Sequence, residues 1–247
     1  MTNPAVDRSP SELPEHEVHV WLADPDRCSL AQLEARYHGL LDQEERDTYR
    51  AFHFDKDRSL YLAAHALTRL VLSRYTGIAA HQIRFARGPN GKPRAQLPAP
   101  HGALRHNLSH TAGLVGCALA RGRECGLDIE ALRPLGDPEA IAGMVLSADE
   151  RAHLARLDGG ARERHWFRLW TLKEAYAKAT GQGIGAGLAH LSFSIGDDGA
   201  SCRHGADAAA VDGWSFHCMA PTARHALALA VEAAARPVSV SLERFEL

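Results

Sequence analysis

The sequence predicts an α+β protein in two similar halves divided near residue 123. Helix-like and strand-like segments come in blocks rather than in strict alternation, which favours antiparallel sheets with separate helices. Both halves follow one coarse order: a strand, helices, a strand with a turn, then an Ala- and Leu-rich strand. The composition, 45% apolar and 23% charged over 247 residues, is that of an ordinary globular chain. Identity between the halves is too low for a repeat to be read from the sequence alone.

Residues 1–16, rich in Pro, Ser and acids, read as a flexible N-terminal tail. Residues 17–123 form the first subdomain. Glu17 to Leu22 alternates polar and apolar residues, as a half-buried strand does. Leu30 to Tyr49 suits one or two surface helices. Leu60 to Tyr75 carries apolar residues at three and four spacing, with Arg69 and Arg74 marking a polar side and Gly77 a C-cap. Ile83 to Ala86 reads as a strand that enters the turn-rich run Gly88-Pro89-Asn90-Gly91-Lys92-Pro93, and the proline-bearing stretch 96–103 as a loop. Leu114 to Leu119 is the last strand of this half.

Residues 124–247 form the second subdomain, which opens with a strand from Gly126 to Glu130. Helical sequence follows from Asp149 to Leu157 and from Ala161 to Thr180. Four further strands are expected at Leu191 to Ile195, Trp214 to Met219, His225 to Val231 and Val238 to Leu242.

Several function classes recede at once. A net charge of -2 gives no global basic signal, so nucleic acid is not an expected partner. No apolar run approaches the ~20 residues needed to cross a bilayer, and no membrane partner is expected. The N-terminus lacks the basic-then-apolar pattern of a signal peptide. Five cysteines, an odd number with no C-x-x-C pair, argue against a disulfide framework or a structural zinc. The expected location is cytoplasmic.

Four local patterns carry chemistry. In Cys125-Gly126-Leu127-Asp128-Ile129-Glu130, strand alternation sends Cys125, Leu127 and Ile129 to one face and both acids to the other. Two carboxylates on one face repel unless a cation lies between them, and hard oxygen ligands suit Mg²⁺. In Trp170-Thr171-Leu172-Lys173-Glu174-Ala175-Tyr176-Ala177-Lys178, Glu174 and Lys178 share a helix face that the aromatics imply is partly buried. Asn107-Leu108-Ser109-His110-Thr111 concentrates small donors and an imidazole able to bind phosphate oxygens. Arg87 to Pro93 is a turn that displays Arg87 and Lys92. It is not a P-loop, because Pro93 stands where Ser or Thr should coordinate a metal. Taken singly, each pattern also has a plainer account: a solvated strand edge, a surface helix pair, backbone capping, or a solvent-facing turn.

Together and in this order, the segments Gly91 to Pro93, Asn107 to His110, Gly126 to Glu130 and Trp170 to Lys178 resemble the Sfp-type 4′-phosphopantetheinyl transferases. The resemblance covers roughly residues 45–195. It implies two α/β subdomains related by a pseudo-twofold axis, with the active site between them. It further implies that Asp128, Glu130 and Glu174 hold Mg²⁺ against the pyrophosphate of coenzyme A. Lys178 would contact a phosphate or stabilise developing charge. Ser109 and His110 would bind the coenzyme A phosphates, Lys92 and Arg87 would lie near the nucleotide and its 3′-phosphate, and Lys56 would be a further phosphate-binding basic residue. Glu150 matches an acid that could assist proton transfer, so Glu174 and Glu150 are both candidate bases.

The expected reaction moves phosphopantetheine from coenzyme A to a serine of an acyl or peptidyl carrier protein and releases 3′,5′-ADP. Arg133, between Leu132 and Pro134, could meet an acidic carrier helix. One chain supplies both halves of the cleft, so a monomer is expected. Secondary metabolism is a natural setting, yet no residue selects among fatty-acid, polyketide, nonribosomal-peptide and siderophore carriers. The competing readings are a metal-dependent phosphohydrolase and a non-catalytic coenzyme A- or carrier-binding module.

Overall fold

Two 22-residue helices, each ended by a left-handed glycine, form the outer layers of the molecule. The computed structural model describes residues 12–88, 91–135, 139–183, 188–196, 199–205, 209–233 and 237–247. The chain order is β1 (Glu17–Ala23), α1 (Leu30–Tyr37), α2 (Gln43–Ala51), α3 (Asp55–Thr76), β2 (Phe85–Arg87), β3 (Pro93–Ala95), β4 (Leu104–Thr111), β5 (Leu114–Arg121) and β6 (Cys125–Ala131). It continues with α4 (Glu139–Val145), α5 (Ala148–Leu154), α6 (Gly159–Thr180), β7 (Leu191–Gly196), β8 (Gly199–His204), β9 (Ala209–Ala210), β10 (Trp214–Thr222), β11 (His225–Glu232) and β12 (Ser239–Arg244).

Local chemistry explains where the helices begin and stop. Ser29 with Gln32, Asp42 with Glu45 and Ser147 with Glu150 each close a reciprocal capping box, which satisfies amides at the starts of α1, α2 and α5. Gly77 has φ 70° and donates its N–H to the Ser73 carbonyl, a stop that suits a residue without Cβ.

One sheet runs β12-β1-β5-β4 and the other β6-β11-β10-β8-β7, with β9 beside β8; β2 and β3 form a separate hairpin. Alternation builds three apolar layers. Along β1, Trp21 and Ala23 meet Ala63, Leu67 and Val71 of α3, whereas Val18, Val20 and Leu22 face the second sheet. Along β11, Leu227, Leu229 and Val231 return that contact, whereas Ala226, Ala228 and Ala230 admit α6 on the outer side. The layer order is therefore α3, first sheet, second sheet, α6.

The sheets also meet edge to edge. Asn107 Oδ1 accepts from the Leu127 amide at 2.8 Å, Ser109 Oγ from Ile129 at 3.1 Å and Thr111 Oγ1 from Ala131 at 3.1 Å. Side chains two apart on β4 thus satisfy amides two apart on β6 and replace the missing backbone ladder.

Three expectations change. The segment 107–111, not among the expected strands, is itself a strand whose hydroxyl and amide side chains serve a neighbouring edge. Arg69 does not mark a polar side. It is fully buried, with Glu45 Oε2 at 2.6 Å, Asp42 Oδ2 at 3.0 Å and the Ile83 carbonyl at 2.7 Å. The division near residue 123 fails for the C-terminal strand: β12 pairs in parallel with β1, from Glu17 opposite Ser239 to Leu22 opposite Arg244.

Residues 1–11 of the expected tail, and Pro89 and Asn90 of the expected turn, lie outside the described residues. Leu13 is buried in the first core, so ordered packing begins before Glu17. Among the described residues no helix is long and apolar enough to cross a membrane.

Candidate active site

Gly126 sets the site by letting helix α6 lie directly on β6. A Cβ at Gly126 would stand 2.0 Å from the Ala175 carbonyl oxygen and 2.4 Å from the Ala179 amide nitrogen, so no larger residue fits. Asp128, two residues along the same face, then meets Lys178: Nζ lies 2.7 Å from Oδ1. The same ammonium donates to the Ser109 hydroxyl and the Leu127 carbonyl, each at 3.2 Å. Ser109 donates its own hydroxyl to Asp128 Oδ1 at 3.2 Å. Glu174, one turn before Lys178, completes a cluster drawn from β4, β6 and α6.

The cluster holds more negative than positive charge. Asp128 and Glu174 are 5% and 8% exposed, and neither Asp128 Oδ2 nor Glu174 Oε1 has a hydrogen-bond donor. Burial raises the Glu174 carboxyl to about 7, the neighbouring Asp128 adds to the rise, and Lys178 offsets part of it. Glu130 is raised by burial and by Asp128, and is tempered by Arg133 at 3.8 Å and by a hydrogen bond with Trp170. Two donor-less buried carboxylate oxygens form the donor set that a hard divalent cation satisfies while keeping waters of its own. Among the described residues no three His, Cys, Asp or Glu side chains are arranged to hold one ion. The fit is therefore carried by Asp128 and Glu174, with Glu130 at its margin.

The remaining sequence-derived candidates divide. His110 is exposed on β4, one residue beyond Ser109 and so on the opposite face of the strand. That face and α3 enclose a cavity of about 340 Å³ lined by Tyr61, His65, Phe85, His106 and Leu108, with Arg87 on its wall. Arg87 is exposed and ion-paired to Glu44. Lys56 sits in the first turn of α3, 5.7 Å over the Phe54 ring, apart from the β6–α6 junction.

Two further candidates have their charges met by partners within the protein. The Lys92 ammonium donates to Glu124 Oε2 at 3.0 Å, the Cys125 carbonyl at 2.9 Å and the Ala179 carbonyl at 3.1 Å. Glu150 does not reach the cluster. Its Oε2 binds the Ser147 amide at 2.7 Å and the Lys173 ammonium at 2.9 Å, and its Oε1 accepts from the Phe193 amide at 2.8 Å, so it is consumed in the core.

Sequence reasoning passed over Lys173 and Glu124. Lys173 is fully buried, and its other two contacts are the Leu188 carbonyl at 2.9 Å and the Leu191 carbonyl at 2.6 Å. Its place beside Glu174, about 100° further round a helix that packs on both flanks, was the available signal.

Comparison with known proteins identifies the family. Residues 124–230 match the model of the 4′-phosphopantetheinyl transferase superfamily, and residues 28–121 match that of the 4′-phosphopantetheinyl transferase N-terminal domain. The chain is 34% identical over 171 residues to the 4′-phosphopantetheinyl transferase HetI of Nostoc sp., covering 68% of this chain and 70% of that one. It is 30% identical over 224 residues to a phosphopantetheinyl transferase of Thraustochytrium sp., covering 84% and 74% of the two chains. It is 29% identical over 175 residues to the 4′-phosphopantetheinyl transferase Sfp of Bacillus subtilis, covering 70% and 75%. The chain belongs to the 4′-phosphopantetheinyl transferase family.

Proposed function

We propose that this chain transfers the 4′-phosphopantetheine of coenzyme A to a carrier-protein serine at the β6–α6 junction, with Mg²⁺ held by Asp128 and Glu174 and flanked by Glu130. The observation that carries this reading is the pair of buried, donor-less oxygens, Asp128 Oδ2 and Glu174 Oε1, beside the Lys178 ammonium. A divalent cation bound there would neutralise charge on the pyrophosphate and its leaving group.

The protein's own groups do the rest. The serine oxygen bonds to the β-phosphorus of coenzyme A, the bond from that phosphorus to the bridging oxygen breaks, and 3′,5′-ADP leaves. Of the two candidate bases, Glu174 lies in the cluster and takes the serine proton, a role for which Glu150 has no free oxygen. Lys178, already oriented by Asp128 and Ser109, faces the charge that develops. The cavity between β4 and α3 has Tyr61 and Phe85 on its walls, a setting for the adenine of coenzyme A, with Asp42, Glu44 and Glu45 there as well and Arg87 already paired to Glu44. Lys56 lies at the start of the helix that borders it.

One chain supplies both sheets, which supports a monomer, and the five free cysteines suit a reducing cytoplasm. The test is intact-protein mass spectrometry of an apo carrier incubated with coenzyme A and Mg²⁺. A gain of one phosphopantetheine, lost with EDTA, is expected; no gain on fatty-acid, polyketide and peptide carriers alike would refute the transfer.

A further inference from the structure

Lys92, like Lys178, belongs to the sequence-derived phosphate set and has its ammonium held by three acceptors of the protein. Its three acceptors join three separate places. The Cys125 carbonyl opens β6 three residues before Asp128, the Ala179 carbonyl directly follows Lys178 on α6, and Glu124 leads into the strand. The Ala179 carbonyl belongs to the last turn of α6, where carbonyls lack intrahelical partners and a cation is electrostatically favoured. The Glu124 carboxylate is itself fixed by Arg94 at 2.7 Å and Arg105 at 3.1 Å, and the Glu124 amide donates to Glu232 at 2.8 Å. The ammonium therefore sits in a rigid frame, with a side chain 12% exposed.

We propose that Lys92 is a positioning residue that latches the last turn of α6 to the first residue of β6, holding Lys178 and Glu174 in register with Asp128. The tolerance of that register is small. One residue of helix rise is ~1.5 Å, enough to carry the 2.7 Å Lys178–Asp128 contact beyond hydrogen-bonding range. Gly126 permits the close approach of helix and strand but supplies no directional bond. The Lys92 ammonium supplies two such bonds, one to each element.

This inference rests on Asp128, Glu174 and Lys178 being the reacting cluster, so its test has an arm that does not depend on turnover. Lys92→Met and Lys92→Arg are compared with the unaltered protein in three measurements. These are amide hydrogen exchange across residues 175–181, the coenzyme A Kd by calorimetry, and kcat and KM on an apo carrier. Faster exchange at the end of α6 is expected in both variants, with Kd for coenzyme A within about twofold and kcat down about tenfold. The planar guanidinium of Lys92→Arg keeps the charge but cannot match acceptors placed around an ammonium, so it fails as a latch while remaining able to bind a phosphate.

A tenfold rise in Kd or KM in Lys92→Met that Lys92→Arg reverses, at unchanged kcat, would make Lys92 a phosphate ligand and overturn the proposal. Unchanged exchange in Lys92→Arg would overturn it as well, even if Lys92→Met does not fold. A carrier left unmodified by the unaltered protein would instead refute the functional reading, while the exchange arm still decides the latch.

Discussion

Lys178 and Asp128 form an ion pair at 2.7 Å across the junction of α6 and β6, and that pair leaves Asp128 Oδ2 with no donor. One half of the carboxylate is fixed by the protein and the other half is held open. A surface pair would leave its second oxygen to water; at 5% exposure, Asp128 keeps its second oxygen dry. This half-satisfied carboxylate separates a ligand site from a structural ion pair such as Glu150 with Lys173, in which both oxygens have partners.

Asp128→Asn keeps the shape of the side chain and removes its charge. Carrier modification is expected to fall by at least about a hundredfold, because the variant loses a cation ligand and the charge that orients Lys178. Circular dichroism should stay unchanged. Retained turnover at millimolar Mg²⁺ would remove Asp128 from the metal set.

Glu174→Gln has a definite pH signature. The Glu174 carboxyl titrates near 7 in the folded chain and near the usual ~4.3 when unfolded, so ionisation between those values favours the unfolded state. In EDTA, the unaltered protein should lose stability relative to Glu174→Gln as pH rises from about 4.5 to 7, by on the order of 2 kcal/mol. Below pH 4.5 the two should converge. Thermal melts across that range, repeated with excess Mg²⁺, test both the sign and its relief by the cation.

Glu150→Gln should damage folding rather than chemistry. It strands the fully buried Lys173 ammonium without its counter-charge, an expected loss of about 3–5 kcal/mol. The kcat of the fraction that remains folded should change less than about twofold. A large drop in kcat at undiminished Tm would return Glu150 to the catalytic set.

The β4–β6 seam separates two neighbouring substitutions. Asn107→Ala removes one bond to the Leu127 amide and should cost about 1–2 kcal/mol with little effect on rate. Ser109→Ala removes a similar bond to Ile129 and also the hydroxyl shared by Asp128 and Lys178, so it should slow carrier modification about tenfold as well. Equal rates in the two variants would show that Ser109 serves the seam alone.

Among the described glycines, Gly126→Ala should be the most destabilising, above about 4 kcal/mol, because its Cβ would overlap the backbone of α6. A melt within a degree or two of the unaltered protein would mean that α6 does not lie on β6 as described.

The sequence alone determined most of the strands, the two long helices and the Gly77 stop, because these follow from periods of two and of three to four and from residue chemistry over a few neighbours. It also placed Asp128 and Glu130 opposite Cys125, Leu127 and Ile129, a consequence of strand alternation.

Only the tertiary structure decided which charges are free to work. Lys92 and Arg87 look alike on one turn, yet Lys92 finds carbonyls 33 and 87 residues away whereas Arg87 stays exposed against Glu44. Glu150 and Glu174 are both helix acids, yet one meets Lys173 and three-way closure while the other keeps an oxygen without a donor. The strand nature of 107–111 was hidden for the same reason, since its polar side chains serve amides 20 residues away on β6. The direction and charge of a side chain are fixed by partners that chain folding brings from afar, and no local period encodes those partners.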